Sequence, residues 1–269
     1  MILPMALDDV TLEIGGRRLI KEVSCTLEAG PRTVILGANG AGKSLFLRLF
    51  HGLIKPTSGR VLWRGAKGRN PAESQAMVFQ RPVMLRRSAA ANVDYALKLK
   101  GMPAAERRIA IDDALGHTGL RRLAATPARV LSTGEQQKLA LARAWALQPE
   151  VLFLDEPTAS LDPSATHAVE EIINAIHAAG TRIIMTTHDL GQAKRLADEV
   201  LFLNRGRLLE KTPADQFFKQ PENDLAQAFI NGELLWWQPG RDNRKQQGET
   251  KEAGTGASPD RDRKKDGPQ

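Results

Sequence analysis

Cysteine is nearly absent from this chain of 269 residues: Cys25 stands alone, so no disulfide can form within it. That usage fits a reducing compartment. Cys25 lies inside the apolar run 23–27 and reads as a small buried side chain. Long apolar runs are absent too. None approaches the roughly 18 residues that a membrane-crossing helix needs. The apolar stretch 1–7 is short, with no basic flank and no cleavage signal, so it is not read as a signal peptide and the chain is expected in the cytosol. Aromatic residues make up only 5% of the sequence. The basic pairs Arg17-Arg18, Arg86-Arg87, Arg107-Arg108 and Arg121-Arg122 have no rings between them, which argues against a nucleic-acid platform of stacked bases. The net charge of +7 still calls for an anionic partner, of which phosphate groups and a membrane surface remain.

The sequence answers that charge with one run, Gly37-Ala38-Asn39-Gly40-Ala41-Gly42-Lys43-Ser44. It follows the apolar stretch Thr33-Val34-Ile35-Leu36 and precedes a helical pattern over 45–50, so it reads as a phosphate-binding loop between a strand and a helix. Glycines let the backbone curl so that several N–H groups face one anion. The following helix presents its positive end to the same anion. Lys43 supplies a full charge for the β- and γ-phosphates, and the Ser44 hydroxyl is a hard oxygen suited to Mg²⁺. A nucleoside triphosphate is the expected ligand.

Short apolar strands alternate with helical stretches along the rest of the chain, which predicts an α/β fold with a mainly parallel sheet covered on both faces. Two or three strands before residue 30, turning at Gly15-Gly16, add an antiparallel piece. Strands are expected at 59–63, 77–80, 151–154, 182–187 and 199–203, and helices at 167–179 and 190–197. The stretch of about 85–147 is Ala-, Leu- and Arg-rich with breaks at Gly101, Gly119 and Pro127, and reads as an inserted helical subdomain. Residues 1–238 form the expected domain. Residues 239–269 hold few large apolar side chains and read as a disordered charged tail. The Trp236-Trp237 pair is expected to pack the end of the domain.

Further segments carry chemistry. The strand Val151-Leu152-Phe153-Leu154 delivers Asp155 and Glu156 at its C-terminal end, the edge where parallel sheets bind ligands. One carboxylate suits a hydrated Mg²⁺, and the next suits an attacking water. Leu131-Ser132-Thr133-Gly134-Glu135 opens a helix; read alone it is an ordinary serine cap or a second phosphate-binding helix end. Gln80 ends one strand and by itself reads as a surface amide; His188 follows another and by itself reads as structural.

Together these segments resemble the nucleotide-binding subunit of ATP-binding cassette (ABC) transporters over roughly residues 5–235. The resemblance implies a P-loop NTPase that binds ATP and Mg²⁺ and hydrolyses ATP to drive transport. It assigns nucleotide contacts to Gly37, Asn39, Gly40, Ala41, Gly42, Lys43, Ser44 and Leu45, and metal contacts to Ser44, Gln80 and Asp155. Glu156 becomes the general base, with Gln80 and His188 completing the water site. Ser132, Gly134 and Glu135 form the family's signature, acting across a head-to-tail homodimer on the partner's γ-phosphate; here Thr133 replaces the usual first glycine and Glu135 the commoner glutamine. Ala159-Ser160-Leu161-Asp162 matches the loop that crosses the dimer interface. The family usually stacks an aromatic ring on adenine, whereas the aligned position here is Ile14, which predicts weaker selectivity for adenine over guanine. Transmembrane permease subunits, docking near Arg81-Pro82-Val83-Met84-Leu85-Arg86-Arg87, and a periplasmic solute-binding protein are the implied partners, with no nucleic acid. The implied location is the cytoplasmic face of the inner membrane, as a peripheral subunit. The closest resemblance is to importers of oxyanions such as tungstate, molybdate or phosphate. A soluble ABC ATPase acting on nucleic acid or ribosomes is the alternative, although two cassettes, a coiled coil and zinc-binding cysteines are all missing. An inactive nucleotide sensor is disfavoured by Glu156 and His188.

Overall fold

The computed structural model of the chain describes residues 2–233. The expected boundary near 238, the tail 239–269 and the Trp236-Trp237 pair lie outside the described residues. Met5–Ile14 (β1) and Arg17–Leu27 (β2) form an antiparallel hairpin. It turns at Gly15 and Gly16, both at positive φ, the backbone region that glycine occupies without strain. Thr33–Leu36 (β3) is buried at every residue and leads through the glycine loop into Lys43–His51 (α1). That helix buries Phe46, Leu47, Leu49 and Phe50 and ends at Gly52, whose left-handed backbone returns its N–H to the carbonyl of Leu49. Ser58–Trp63 (β4) then joins the other edge of β1, giving a three-stranded sheet in the order β2-β1-β4.

Gln75–Val78 (β5) follows. It stops two residues short of Gln80, which the sequence had read as the end of that strand. The expected helical insertion is three helices, Ala89–Leu99 (α2), Ala104–His117 (α3) and Thr133–Ala146 (α4), packed on one another. Its root is tied down by Asn92, fully buried, which accepts from the Leu85 N–H and donates to the Leu85, Arg87 and Ser88 carbonyls. Arg143 donates to the Val83 carbonyl and Arg129 to that of Met84, so the stretch 83–88 is held by its backbone while Val83 itself is exposed.

Val151–Asp155 (β6), Pro163–Ala178 (α5), Arg182–Thr186 (β7), Leu190–Leu196 (α6) and Glu199–Asn204 (β8) complete the alternation. The helix α5 begins four residues earlier than its apolar pattern, because Asp162 caps it and Pro163 sits in its first turn. Three elements go beyond the sequence reading: Arg207–Pro213 (β9), Ala214–Lys219 (α7) and Asp224–Ile230 (α8). The large sheet has the order β5-β6-β7-β3-β8-β9, parallel except for β9. β6 and β7 are buried throughout, as central parallel strands must be. Cys25 is buried, and desolvation pushes its thiol up to about 12, leaving an inert side chain. Among the described residues no helix is long and apolar enough to cross a membrane.

Candidate active site

The strand order decides where the chemistry collects. β5, β6, β7 and β3 are successive neighbours running in parallel, so the segments leaving their C-terminal ends share one edge of the sheet. Those segments carry Gln80, the Asp155-Glu156 pair, His188 and the glycine loop. Parallel sheets bind ligands at that edge, because strand ends and helix starts converge there.

Within the loop, Gly37, Gly40 and Gly42 all have positive φ. Gly37 has a second reason to be glycine: a Cβ there would lie 2.2 Å from the Leu203 carbonyl oxygen. Asn39 and Gly40 form the exposed rim, Ala41 is buried, and its carbonyl accepts from the Gly206 N–H at 2.8 Å. Lys43 is 5% exposed; its ammonium donates to the carbonyls of Gly37 (2.9 Å) and Ala38 (3.3 Å) and pairs with Glu156 Oε1 at 3.2 Å. Ser44 Oγ donates to Asp155 Oδ1 at 2.7 Å. Leu45 is half-buried against the core in the first turn of α1.

Glu156 is the pivot. Its φ of 44° is left-handed, which is uncommon outside glycine. Its backbone N–H donates to the Thr186 hydroxyl (3.0 Å) and carbonyl (3.2 Å). Its second carboxylate oxygen faces His188 Nδ1 at 3.1 Å. His188 is an exposed side chain placed by Asp189, which caps α6 through the Gln192 N–H. A cavity of about 620 Å³ opens beside Glu156 and His188, over Thr158 and Glu170. Gln80 is exposed on the same edge, two residues past Val78, which pairs with Leu154.

The remaining expected residues lie elsewhere in the chain. Ser132 caps α4 in a reciprocal box: the Glu135 N–H donates to Ser132 Oγ, and Glu135 Oε2 accepts from the Ser132 N–H and hydroxyl. The Ser132 N–H, and then its hydroxyl, hold the Glu135 carboxyl below the usual carboxylate range. A Cβ on Gly134 would lie 3.0 Å from that of Ala165, so glycine lets the start of α4 approach the first turn of α5. Ile14 is 55% exposed at the end of β1, an apolar side chain open to solvent.

Sequence reasoning missed Thr186, Glu170 and Gln192. Thr186 reads as one more β-branched strand residue. Buried Gln192 donates to Thr158 Oγ1 (2.8 Å) and Glu170 Oε1 (3.2 Å), and Arg195 grips Glu170 with two bonds at 2.7 and 2.8 Å. Only polar residues on the inner face of a helical pattern would have flagged these.

The sequence profile of the ABC transporter family matches residues 20–159. The tungstate uptake system ATP-binding protein TupC of Peptoclostridium acidaminophilum is 38% identical over 205 residues, 76% of this chain and 94% of that protein. The phosphate import ATP-binding protein PstB 2 of Natronomonas pharaonis is 32% identical over 249 residues, covering 86% and 88%. The methionine import ATP-binding protein MetN of Corynebacterium diphtheriae is 33% identical over 222 residues, 79% of this chain and 65% of that longer protein. Among solved structures, cbiO1 of Clostridium perfringens, part of the transporter complex cbiONQ, superposes with a TM-score of 0.72 at 29% identity over 81% of this chain and 91% of that one. By the length matched and the identity of these relatives, the chain belongs to the ABC transporter family.

Proposed function

We propose that this chain is the ATP-hydrolysing subunit of an importer for a small inorganic oxyanion, tungstate or a close chemical relative. Family membership makes it an ATPase. The observation that carries the site is the convergence of Lys43, Ser44, Asp155, Glu156 and His188 on one sheet edge, with three contacts of 2.7–3.2 Å among them. The solute reading is supported by the tungstate and phosphate relatives; the methionine relative is its competitor.

In this reading the loop N–H groups and Lys43 hold the β- and γ-phosphates, and Leu45 adds a backbone donor in the first turn of α1. Ser44 Oγ and Asp155 Oδ1 present two hard oxygens side by side, a donor set that fits Mg²⁺, to which Gln80 would add a third oxygen. When bound, that ion neutralises charge on the phosphate oxygens. Glu156 takes the proton of the attacking water, and His188 holds the γ-phosphate end. Lys43 and His188 both contact Glu156 directly, so a phosphate that engages those two side chains leaves the carboxylate free to act as a base. Ile14 covers one face of the base. Ser132, Gly134 and Glu135 complete the site of a second copy in a head-to-tail homodimer, which closes on ATP and opens after hydrolysis. The exposed Val83 and the pinned stretch 83–88 receive a permease subunit, with the chain peripheral on the cytoplasmic face of the inner membrane and a periplasmic binding protein delivering solute.

Affinity purification of the tagged chain from gently solubilised membranes, with partners identified by mass spectrometry, tests this directly. A polytopic membrane protein is expected to co-purify. The reconstituted complex is then expected to raise its ATPase rate with tungstate and binding protein, and not with methionine. Recovery of ribosomal or DNA-repair proteins without a membrane subunit overturns the transport reading; stimulation by methionine alone overturns the oxyanion.

A further inference from the structure

We infer that Thr186 is a positioning residue for ATP hydrolysis, its hydroxyl fixing Asp155 and Glu156 relative to each other from the neighbouring strand. The inference rests on the reading of those two carboxylates given above. Thr186 ends β7, level with Asp155 in the parallel pairing of β6 and β7, and is fully buried. Its hydroxyl makes two bonds whose directions are set by chemistry. The Glu156 N–H can only donate, so Thr186 Oγ1 accepts at 3.0 Å. The Asp155 carboxylate accepts, so the same hydroxyl donates to Oδ1 at 2.9 Å.

One oxygen therefore holds the backbone of the general base and the side chain of the metal carboxylate together. Asp155 Oδ1 also accepts from Ser44, which extends the chain of bonds from β7 to the phosphate loop. The rest of β7 is apolar or aliphatic in this stretch (Ile183, Ile184, Met185), and a buried hydroxyl costs stability unless its bonds are made. Valine would fill the same volume in a strand that favours it. Packing alone does not call for the hydroxyl, and both of its bonds go to residues of the site.

Glu156 needs that hold because its backbone is left-handed, at a φ of 44°. Without the hydroxyl, the Glu156 N–H keeps only the longer bond to the Thr186 carbonyl, at 3.2 Å. The peptide is then free to relax, and the carboxylate swings from its place beside Lys43 and His188. Hydrolysis is sensitive to displacements of this size, whereas phosphate binding by the loop is not.

The test compares Thr186→Val, Thr186→Ser and Glu156→Gln in the full chain. For Thr186→Val, kcat is expected to fall roughly tenfold to a hundredfold, the loss of one hydrogen bond to a charged group expressed as a rate. KM for ATP is expected to stay within about threefold, since the loop contacts persist. The melting temperature without nucleotide is expected to fall by no more than about 5 °C, a loss that Thr186→Ser does not share, and the Mg²⁺ concentration giving half of the ATP-induced rise in melting temperature is expected to increase as Asp155 loosens. Thr186→Ser, which keeps the hydroxyl, is expected to restore most of kcat. An unchanged kcat in Thr186→Val alongside an inactive Glu156→Gln overturns the inference and leaves the site reading intact. An active Glu156→Gln overturns the site reading itself. Should Thr186→Val not fold, Thr186→Ala against Thr186→Ser poses the same question, and equal kcat in that pair overturns the inference.

Discussion

Single residues in this protein are placed by contacts whose removal has distinct signatures. Glu156 shares its carboxylate between the Lys43 ammonium and the His188 ring. Glu156→Gln keeps the shape and the contact distances but cannot take a proton. Hydrolysis is expected to fall by at least about a hundredfold, the usual share of a general base, while ATP still raises the melting temperature; single-turnover assays and thermal shifts read the two separately. His51 gives a different signature. Its ring packs edge-on against Phe153, with centroids 5.3 Å apart, and its Nδ1 is buried with no partner among the described residues. Burial lowers its affinity for a proton below the ordinary value of 6.5. Below that pH the unfolded chain binds a proton that the folded chain refuses, so stability falls as pH drops. Asp198 is also depressed, by its hydrogen bond from Arg32, but it acts in the more acidic carboxylate range, where the same linkage costs stability as pH falls through its folded value. Melting curves from pH 7.5 to 5 are therefore expected to decline, and His51→Phe, which keeps the ring and removes the titration, to flatten that decline. Asp155 and Glu156 are legible in the sequence because they sit where an apolar run ends, and the loop glycines, Lys43 and Ser44 because their spacing follows one apolar run and precedes a helix. Thr186 is not, since its meaning lies across the sheet and not along the chain.

Whole elements show where pattern reading succeeds and where it stops. β3, β6, β7 and β8 are continuous apolar runs, and those runs betray buried parallel strands directly. β9 is only partly buried and mixes Leu208 with Glu210 and Lys211, so its pattern is weak. Its signal is the turn before it: Arg205 and Gly206 both have positive φ, the backbone of a tight hairpin between β8 and β9. Gly206 does more than turn. Its N–H donates to the Ala41 carbonyl in the phosphate loop, and its own carbonyl accepts from Lys21 in β2. A Cβ there would lie 2.1 Å from the Leu19 carbonyl oxygen. Gly206→Ala must therefore push the β8–β9 turn away from β2, and with it the N–H that bonds to the phosphate loop. Strain at φ 78° alone costs roughly 1–3 kcal/mol, and the clash adds to it. The variant is expected to melt lower and to bind ATP more weakly, although residue 206 lies about as far along the chain as the last strand allows. Titration of nucleotide binding by tryptophan fluorescence or calorimetry checks the second half. An unchanged affinity in a destabilised variant would show that the loop does not lean on the hairpin.

At the scale of the molecule, three of the expected site residues, Ser132, Gly134 and Glu135, make their contacts outside the cluster at the sheet edge. Lys43, Ser44, Asp155, Glu156 and His188 bond to one another, whereas Ser132 bonds to Glu135 in its own helix turn and Gly134 meets Ala165. Among the described residues no contact joins the two groups within one copy, and in the head-to-tail homodimer proposed above two copies related by a two-fold axis would join them twice. This arrangement makes a prediction that no single-chain mechanism shares. Lys43→Ala removes the phosphate charge of one half, and Ser132→Arg fills the exposed signature of the other. Each variant alone is expected to be inactive, because every site in its homodimer carries a defect. Mixed, they form heterodimers in which one site pairs a damaged loop with a damaged signature and the other pairs two intact halves. Random mixing makes half of the dimers mixed, each with one working site, so about a quarter of the parent activity is expected to return if the sites fire independently. A return near zero means that hydrolysis needs both sites together. If Ser132→Arg is fully active on its own, the signature does not act across the dimer. Dilution separates the remaining outcomes: recovered activity that falls with protein concentration belongs to an interface, and activity that does not belongs to the single chain.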